Sequence, residues 1–468
     1  MRRSRFLVSL PSFYYFPCRF SVSVPISSGE TELPSINVTI FTFLSFSFSI
    51  THQISLKMVG MQNFTGVEAA TKKVDDKKFI NFHLARLVRG EDRRELDDTG
   101  FACHRAFHSV HCVSTKPVRI DTRNMTVYVP SDNEWENETV VRPYPWQGYA
   151  VNEISHVRII QYSNATAPPP CDFRHRVPAV VFSSGYIGNT YHEMSEIIIP
   201  LYITTRHFQS RVAFVVEDYK PSFFAKYNAI ITRLTAHEVI NPAANAAAVH
   251  CFPASVVGLK YHGILKVNST DIPGGYGMPE FKRFLREIFS LTYSHVSEIP
   301  RPRLLLLSRT KSRKFLNEDE MIAMMQEVGF EVVVVRGSNL ATMARLVNSC
   351  SVIVGVHGAG LTNDVFMAKG GVVVQVEPLG TEWISKVMFG DTARAMGLHH
   401  LLYKIEEEES SLVKLYGRNS SVVIDPASVY RGGGYMTARA VFIDQQNVKI
   451  NLARFRSSIV EALSIVTD

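Results

Sequence analysis

The stretch Ser351-Val352-Ile353-Val354-Gly355-Val356-His357-Gly358-Ala359-Gly360-Leu361-Thr362-Asn363 decides how the rest of the chain is read. It spells a short apolar strand, a glycine-rich turn and the start of a helix. A strand that ends in a tight turn aims the free N–H groups of the next helix at whatever lies above the sheet. Those groups and the helix dipole suit an anion, and glycines let a ligand approach the backbone. His357 adds a donor at the same place. The expectation is a diphosphate site on an α/β sheet.

Outward from this stretch the pattern repeats. Arg303–Leu307 reads as a strand, and Asn317 with Glu320 reads as a helix start, Asn317 being the N-cap. That helix stops at Gly329. Glu331–Val335 is a strand, Leu340–Asn348 a helix, Leu361–Ala368 a helix and Val372–Val376 a strand. Alternating strands and helices imply a parallel sheet with ligands outside the carboxyl ends of its strands. Ser308-Arg309, Arg336, His357 and Glu377 stand at those ends. Arg309 and Arg313 are placed to clamp phosphate, against a reading as solvated loop charges. Glu377 is placed either to bind ribose hydroxyls or simply to cap its strand. Asn451–Ile465 closes the chain as an amphipathic helix.

Upstream, Val74–Asp98 is highly charged and reads as a stem or exposed helix. Short β-like runs fill 101–160. Ala179–Phe182 and Val212–Val216 are buried strands, with helices at Asn189–Leu201 and Ser222–Ala236 and a later strand at Val256–Leu259. His192 and Glu196 share a helix face at i, i+4, after a glycine loop. Such a pair serves either to deprotonate a hydroxyl or as a local pair on a solvated or packed face.

The composition excludes several classes. The 468 residues are too long for one ordinary core. A net charge of +7 without a concentrated basic tract gives no sign of nucleic acid. GxGxxG, Walker A and Asp-X-Asp sequences are absent, which disfavours nicotinamide cofactors and metal-bound sugar nucleotides. The six cysteines form no CxxC pair, so no metal is expected; Cys103 and Cys112 are candidates for a bridge, and Cys350 for an inert core thiol. Sequons at Asn37, Asn63, Asn124, Asn137, Asn164, Asn268 and Asn419 favour a secretory lumen. Residues 1–75 carry a basic start and two apolar runs, read either as a leader or as a signal-anchor with its stem.

Gly188-Asn189-Thr190-Tyr191-His192 with Glu196 and Pro200-Leu201 resembles a block of glycosyltransferase family 61. Ser308-Arg309 with Arg313 and Asn317, followed by Gly355–Asn363, resembles the donor block of the same family. Glu409–Leu412 with Tyr416, and Gln446-Asn447-Val448, extend the likeness, which runs from about Leu84 to the C-terminus. Gly100–Cys103, Cys112 with Pro117–Ile120, Arg142-Pro143-Tyr144 and Val239–Pro242 are similar to the plant xylan arabinosyltransferase and xylosyltransferase clade. Gly185–Gly188 and Trp146-Gln147-Gly148 depart from the arabinosyltransferase forms.

The resemblance implies an α/β fold of GT-B type: two Rossmann-like domains facing across a cleft, behind an N-terminal membrane-anchor and stem region. The expected divisions are 1–75 for leader and stem, 76–298 for the acceptor side, 299–450 for the nucleotide-sugar side and 451–468 for the closing helix. It implies inverting, metal-independent transfer of arabinofuranose or xylose from a UDP-pentose to xylan or another glycan, with no cofactor. The chain would be a type II Golgi membrane protein with its catalytic part in the lumen, beside other xylan-synthesis proteins. His192 or Glu196 would be the base, and Asn189 and Tyr191 would lie on the acceptor side. Arg309, Arg313, His357, Gly358, Ala359, Gly360, Thr362, Asn363 and Glu377 would hold UDP. The rival readings are a β-1,2-xylosyltransferase acting on N-glycans or another wall polymer, and a catalytically silent partner of a xylan-synthesising complex.

Overall fold

The computed structural model describes residues 76–468, except 107, 133–136, 146–150, 164–167, 245–247 and 272–274. The expected leader and anchor, the Trp146-Gln147-Gly148 departure and the sequons at Asn37, Asn63 and Asn164 lie outside the described residues. Strands are numbered in chain order. β1 (Phe101–Ala106) and β2 (Ser109–Ser114) form a hairpin. β3 (Val118–Asp121), β4 (Thr126–Pro130), β5 (Asn137–Val141), β6 (Val157–Tyr162) and β7 (Phe173–Arg174) follow. β8 (Ala179–Ser183), β9 (Ala213–Glu217), β10 (Val249–Phe252) and β11 (Ser255–Val257) complete the first half. The second half holds β12 (Arg303–Leu307), β13 (Glu331–Val335), β14 (Val352–Val356), β15 (Val372–Glu377) and β16 (His399–Lys404).

The second half is an all-parallel sheet in the order β13-β12-β14-β15-β16. Its central β12 and β14 are almost wholly apolar because both faces are covered. Leu304 and Leu306 enter one core, and Leu305 and Leu307 the other. Strand order reverses between β12 and β14, and a crevice opens at the carboxyl ends of the strands flanking such a switch point. Ser308-Arg309 leaves one of these strands and His357-Gly358 the other. β16 was not expected; its exposed and half-buried residues mark it as an edge strand.

The first half departs from a Rossmann-like layer. β1-β2-β11-β8-β9 is a mixed sheet, antiparallel at the hairpin and parallel across β11, β8 and β9. Period-2 alternation splits its side chains. Val180, Phe182, Phe214 and Val216 face the helices. Ala179, Val181, Ala213 and Val215 face a second, six-stranded sheet, β5-β6-β4-β3-β10-β7. One face is therefore helical and the other is β-sheet. The charged segment near the start is not a bare stem: in helices Asp76–Ala85 and Gly90–Thr99, Leu84 and Leu96 are buried.

One core cluster runs through both halves, from Phe182 and Tyr227 through Phe281 to Leu305, Ile353 and Phe366. Helix Met278–Phe289 carries the join, with Phe289 edge-on to Phe366 at 5.5 Å. Helix Leu452–Thr467 closes the chain, capped by Asn451 and anchored by Phe455, Ile459 and Ala462. Asn317 does not cap its helix. Its Nδ2 donates to the Ile450 carbonyl at 2.9 Å, and its Oδ1 accepts from Ile450 N, which pins the closing segment to the sheet. Among the described residues no helix is long and apolar enough to cross a membrane.

Cys103 and Cys112 face each other across the hairpin and are bridged, and Cys171 pairs with Cys251. Cys350 is a free, buried thiol. The two bridges close loops with sequence separations of 9 and 80. Loop-closure entropy makes the longer one worth about 2 kcal/mol more. Cys171→Ser with Cys251→Ser is expected to lower the chemical-denaturation midpoint clearly more than Cys103→Ser with Cys112→Ser. Equal losses would refute that ordering.

Candidate active site

The loop leaving β8 begins Ser183-Ser184-Gly185 and ends at Gly188, whose φ of +95° suits glycine. Asn189 then caps a helix, its Oδ1 accepting from Tyr191 N at 3.0 Å. The helix continues to Thr205, but its middle, Glu193–Ile198, is a wide π turn. Pro200 explains the widening. A proline cannot donate to the carbonyl four residues back, here that of Glu196, and its ring would clash with it in an α-helix.

Within this turn His192 Nδ1 meets Glu196 Oε1 at 2.7 Å, and Tyr144 OH donates to Glu196 Oε2 at 2.6 Å. Glu196 is buried, with its side chain 4% exposed against 14% for His192. The carboxylate thus sits behind the ring, between two donors. Tyr186 and Tyr191 pack edge-on to His192 at 5.2 and 5.1 Å. His108, at the turn between β1 and β2, lies within electrostatic reach of Glu196. A second buried carboxylate, Glu193, fixes the loop. It accepts from Gly188 N at 2.9 Å and Tyr227 OH at 3.0 Å, and pairs with Lys226.

At the switch point of the second half, Arg309 and Arg313 converge on Gly358. A Cβ there would lie 2.6 Å from Arg313 Nη1 and 3.0 Å from Arg309 Nη1. Gly358 has φ +152°, so two constraints demand glycine. Arg313 Nη1 donates to the His357 carbonyl at 2.6 Å, and Arg309 Nε to the Ser312 carbonyl at 2.9 Å. Among the described residues neither guanidinium forms a salt bridge, and Arg313 Nε is buried without a partner. Burial first, and then Arg309, pull the Arg313 pKa down to about 10; burial lowers that of Arg309 as well. Both remain charged at neutral pH, so two partly desolvated cations converge on one glycine.

The rest of the glycine turn corrects the expectation. Ala359–Phe366 is 3₁₀, not α-helical, and Asn363 Nδ2 returns to the Gly360 carbonyl at 2.8 Å. Asn363 is committed locally, in competition with an α-helical ladder. Thr362 is fully buried. His357 is buried too. Burial, then Arg313 and Arg309, push its pKa down to about 3, so it is neutral and brings no positive charge to an anion. Gln375 Oε1 accepts from His400, and its amide donates to His357 Nδ1 at 3.0 Å. The hydrogen of His357 is therefore on Nε2. Glu377 is buried at the end of β15, its pKa raised by burial and then by Glu382.

Phe389 joins the two clusters. Its ring lies 6.0 Å from that of Tyr191 and 5.5 Å from that of His357. The first turn of the His192 helix also packs on the 3₁₀ segment Ala359–Phe366. The structure thus brings His192, Glu196, Arg309, Arg313, His357 and Gly358 into one neighbourhood. Asn189 and Tyr191, expected on the acceptor side, are taken up by capping and by packing on Phe389. Tyr144, Glu193, Gln375 and Phe389 escape sequence reasoning; only Tyr144 carried a signal, in Arg142-Pro143-Tyr144. The sequons at Asn124, Asn137 and Asn419 are exposed, and Asn268 is half-buried.

The sequence model of the Glycosyltransferase 61 family matches residues 190–374, a span that starts at the His192 helix and ends in β15. An alpha-1,3-arabinosyltransferase of Oryza sativa subsp. japonica is 37% identical over 71% of this chain and 59% of its own length. A beta-1,2-xylosyltransferase of the same organism is 35% identical over 70% of this chain and 72% of its own length. A xylan glycosyltransferase of Arabidopsis thaliana is 29% identical over 85% of this chain and 84% of its own. The chain belongs to glycosyltransferase family 61. It spans less than two-thirds of the arabinosyltransferase it matches.

Gly358→Ala is expected to displace both guanidiniums and weaken pyrophosphate binding at least about tenfold in calorimetry, with folding retained; unchanged affinity would remove the arginines from the anion site. For His357, the unfolded chain takes up a proton below about pH 6.5 that the folded chain refuses until about pH 3. Its contribution is complete above the upper value and is lost on acidification across that window, at about 1.4 kcal/mol per pH unit. His357→Gln should flatten the pH dependence of urea unfolding there. An unaltered slope would show that this ring does not couple to folding.

Proposed function

We propose that this chain is an inverting, metal-independent pentosyltransferase. It moves arabinofuranose or xylose from a UDP-sugar to a xylan acceptor in plant cell-wall synthesis. One observation carries the reading: two unneutralised guanidiniums over Gly358 lie one aromatic ring away from a His–Glu dyad. The first cluster suits a leaving diphosphate, and the second an attacking hydroxyl. The xylan relatives supply the sugar class.

Glu196 receives His192 Nδ1–H, which leaves the lone pair of the neutral ring on Nε2. In this reading Nε2 takes the proton of the acceptor hydroxyl as its oxygen attacks the anomeric carbon. The sugar–diphosphate bond breaks on the opposite face, and Glu196 stabilises the imidazolium that forms. Tyr144 fixes Glu196. Arg309 and Arg313 neutralise the departing UDP, and the backbone of Gly358, Ala359 and Gly360 lies against it. His357 holds the turn, and Glu377 is offered to the ribose. The GT-B reading rests on both clusters following the carboxyl ends of parallel strands, β8 in one half and β14 in the other. The exposed sequons and the two disulfides support a lumenal site, here assigned to the Golgi with an anchor within residues 1–75.

The test is a UDP-pentose screen on xylo-oligosaccharides. His192→Ala should cut kcat by about a hundredfold or more while sparing UDP binding. Arg313→Ala should weaken UDP itself. Full activity in His192→Ala would sink the dyad assignment, and absence of UDP binding by the wild type would sink the enzyme reading.

A further inference from the structure

The helical segment that supplies Phe389 has a second, outward face. It runs from Glu382 through a π turn, Lys386–Gly390, to Ala395. Phe389 points inward to Tyr191 and His357, and Ser385 Oγ approaches His357 Nδ1 at 3.5 Å. Trp383 points outward and is 56% exposed. Its ring stands edge-on to Tyr430 at 5.9 Å and to Tyr435 at 6.5 Å; Tyr435 is 43% exposed. Tyr430 itself is packed from beneath. Tyr430 stacks on the fully buried Phe442 and donates to the Gly380 carbonyl at 2.7 Å, and Phe442 packs against Gly380, whose φ is +73°. The segment carrying Tyr435 also reaches the anion site, since Gln446 accepts from Arg313 N at 2.6 Å.

We propose that Trp383 and Tyr435 form a sugar-stacking platform that holds acceptor residues beyond the one that reacts. This deepens the transferase reading and rests on it for the identity of the chain. The C–H faces of pyranose rings are apolar and pack on aromatic faces, while their hydroxyls stay in water. Open, half-exposed rings suit a polymer running over the surface. A nucleobase calls for an enclosed slot, since small-ligand sites cover most of their ligand. A polymeric acceptor must leave the reaction centre along adjoining surface, and this patch shares a helical segment with the ring that joins the two half-sites.

Calorimetry of the whole chain with xylobiose and xylohexaose, without donor, tests the platform. Wild type is expected to favour xylohexaose, and Trp383→Ala and Tyr435→Ala should each erode that preference about fivefold. Trp383→Phe should restore most of it, and melting temperature and UDP affinity should not move. An unchanged length preference in both alanine variants overturns the proposal. So does a wild type without such a preference, or a loss of UDP affinity in Trp383→Ala, which would make the ring a nucleobase contact. Xylohexaose binding that persists in a protein unable to transfer any UDP-pentose would retain the platform and overturn the transferase reading.

Discussion

Two like charges share a desolvated position, and among the described residues neither forms a salt bridge; Asp444 offsets Arg313 only from a longer distance. Arg309 and Arg313 both reach Gly358, and their bonds to the chain are to carbonyl oxygens, which orient a guanidinium without cancelling its charge. Burial and mutual repulsion disfavour this arrangement and lower the pKa of Arg313. A bound dianion offsets both. Such strain persists only where the surroundings over-determine it. Here they do: Arg313 sits at φ +54°, held by Gln446, whose buried amide also bonds Leu379 and Phe442.

The other half of the site depends on a different backbone irregularity. Pro200 denies the Glu196 carbonyl its α-helical partner, and the widened turn carries Glu196 and buries it behind His192. Tyr144 bonds Glu196, and Lys226 and Tyr227 bond Glu193, so both carboxylates of the turn are held. The first irregularity lies in a loop and the second inside a helix. The parallel sheet and the helix-backed mixed sheet supply the rigid frame in which both are held.

What the sequence reveals follows from locality. β12 and β13 are legible to the residue because unbroken apolar runs between charged or polar ends admit one reading. The switch point, and the arginines beside it, follow once β14 is recognised. His192 and Glu196 are legible because i, i+4 spacing survives a local change of helix type. Phe389 is not: it is one of 29 phenylalanines, on a segment without a motif, and its role arises only from tertiary contact. Asn317 reads as a cap on local grounds, yet its partner is Ile450, 133 residues away. The second sheet of the first half is missed because short alternating runs do not say which sheet each strand joins.

The two histidines of the site illustrate how neighbours, not residue type, divide the labour. Both rings are held through Nδ1. At His192 the partner is a carboxylate, which accepts the hydrogen carried on Nδ1. At His357 the partner is an amide that donates, so the hydrogen moves to Nε2, and two nearby guanidiniums oppose any positive charge on the ring. The first arrangement suits proton transfer and the second forbids it over the ordinary pH range. Positive charge beside Gly358 therefore comes from Arg309 and Arg313 and not from His357, and the glycine lets both guanidiniums approach the same backbone.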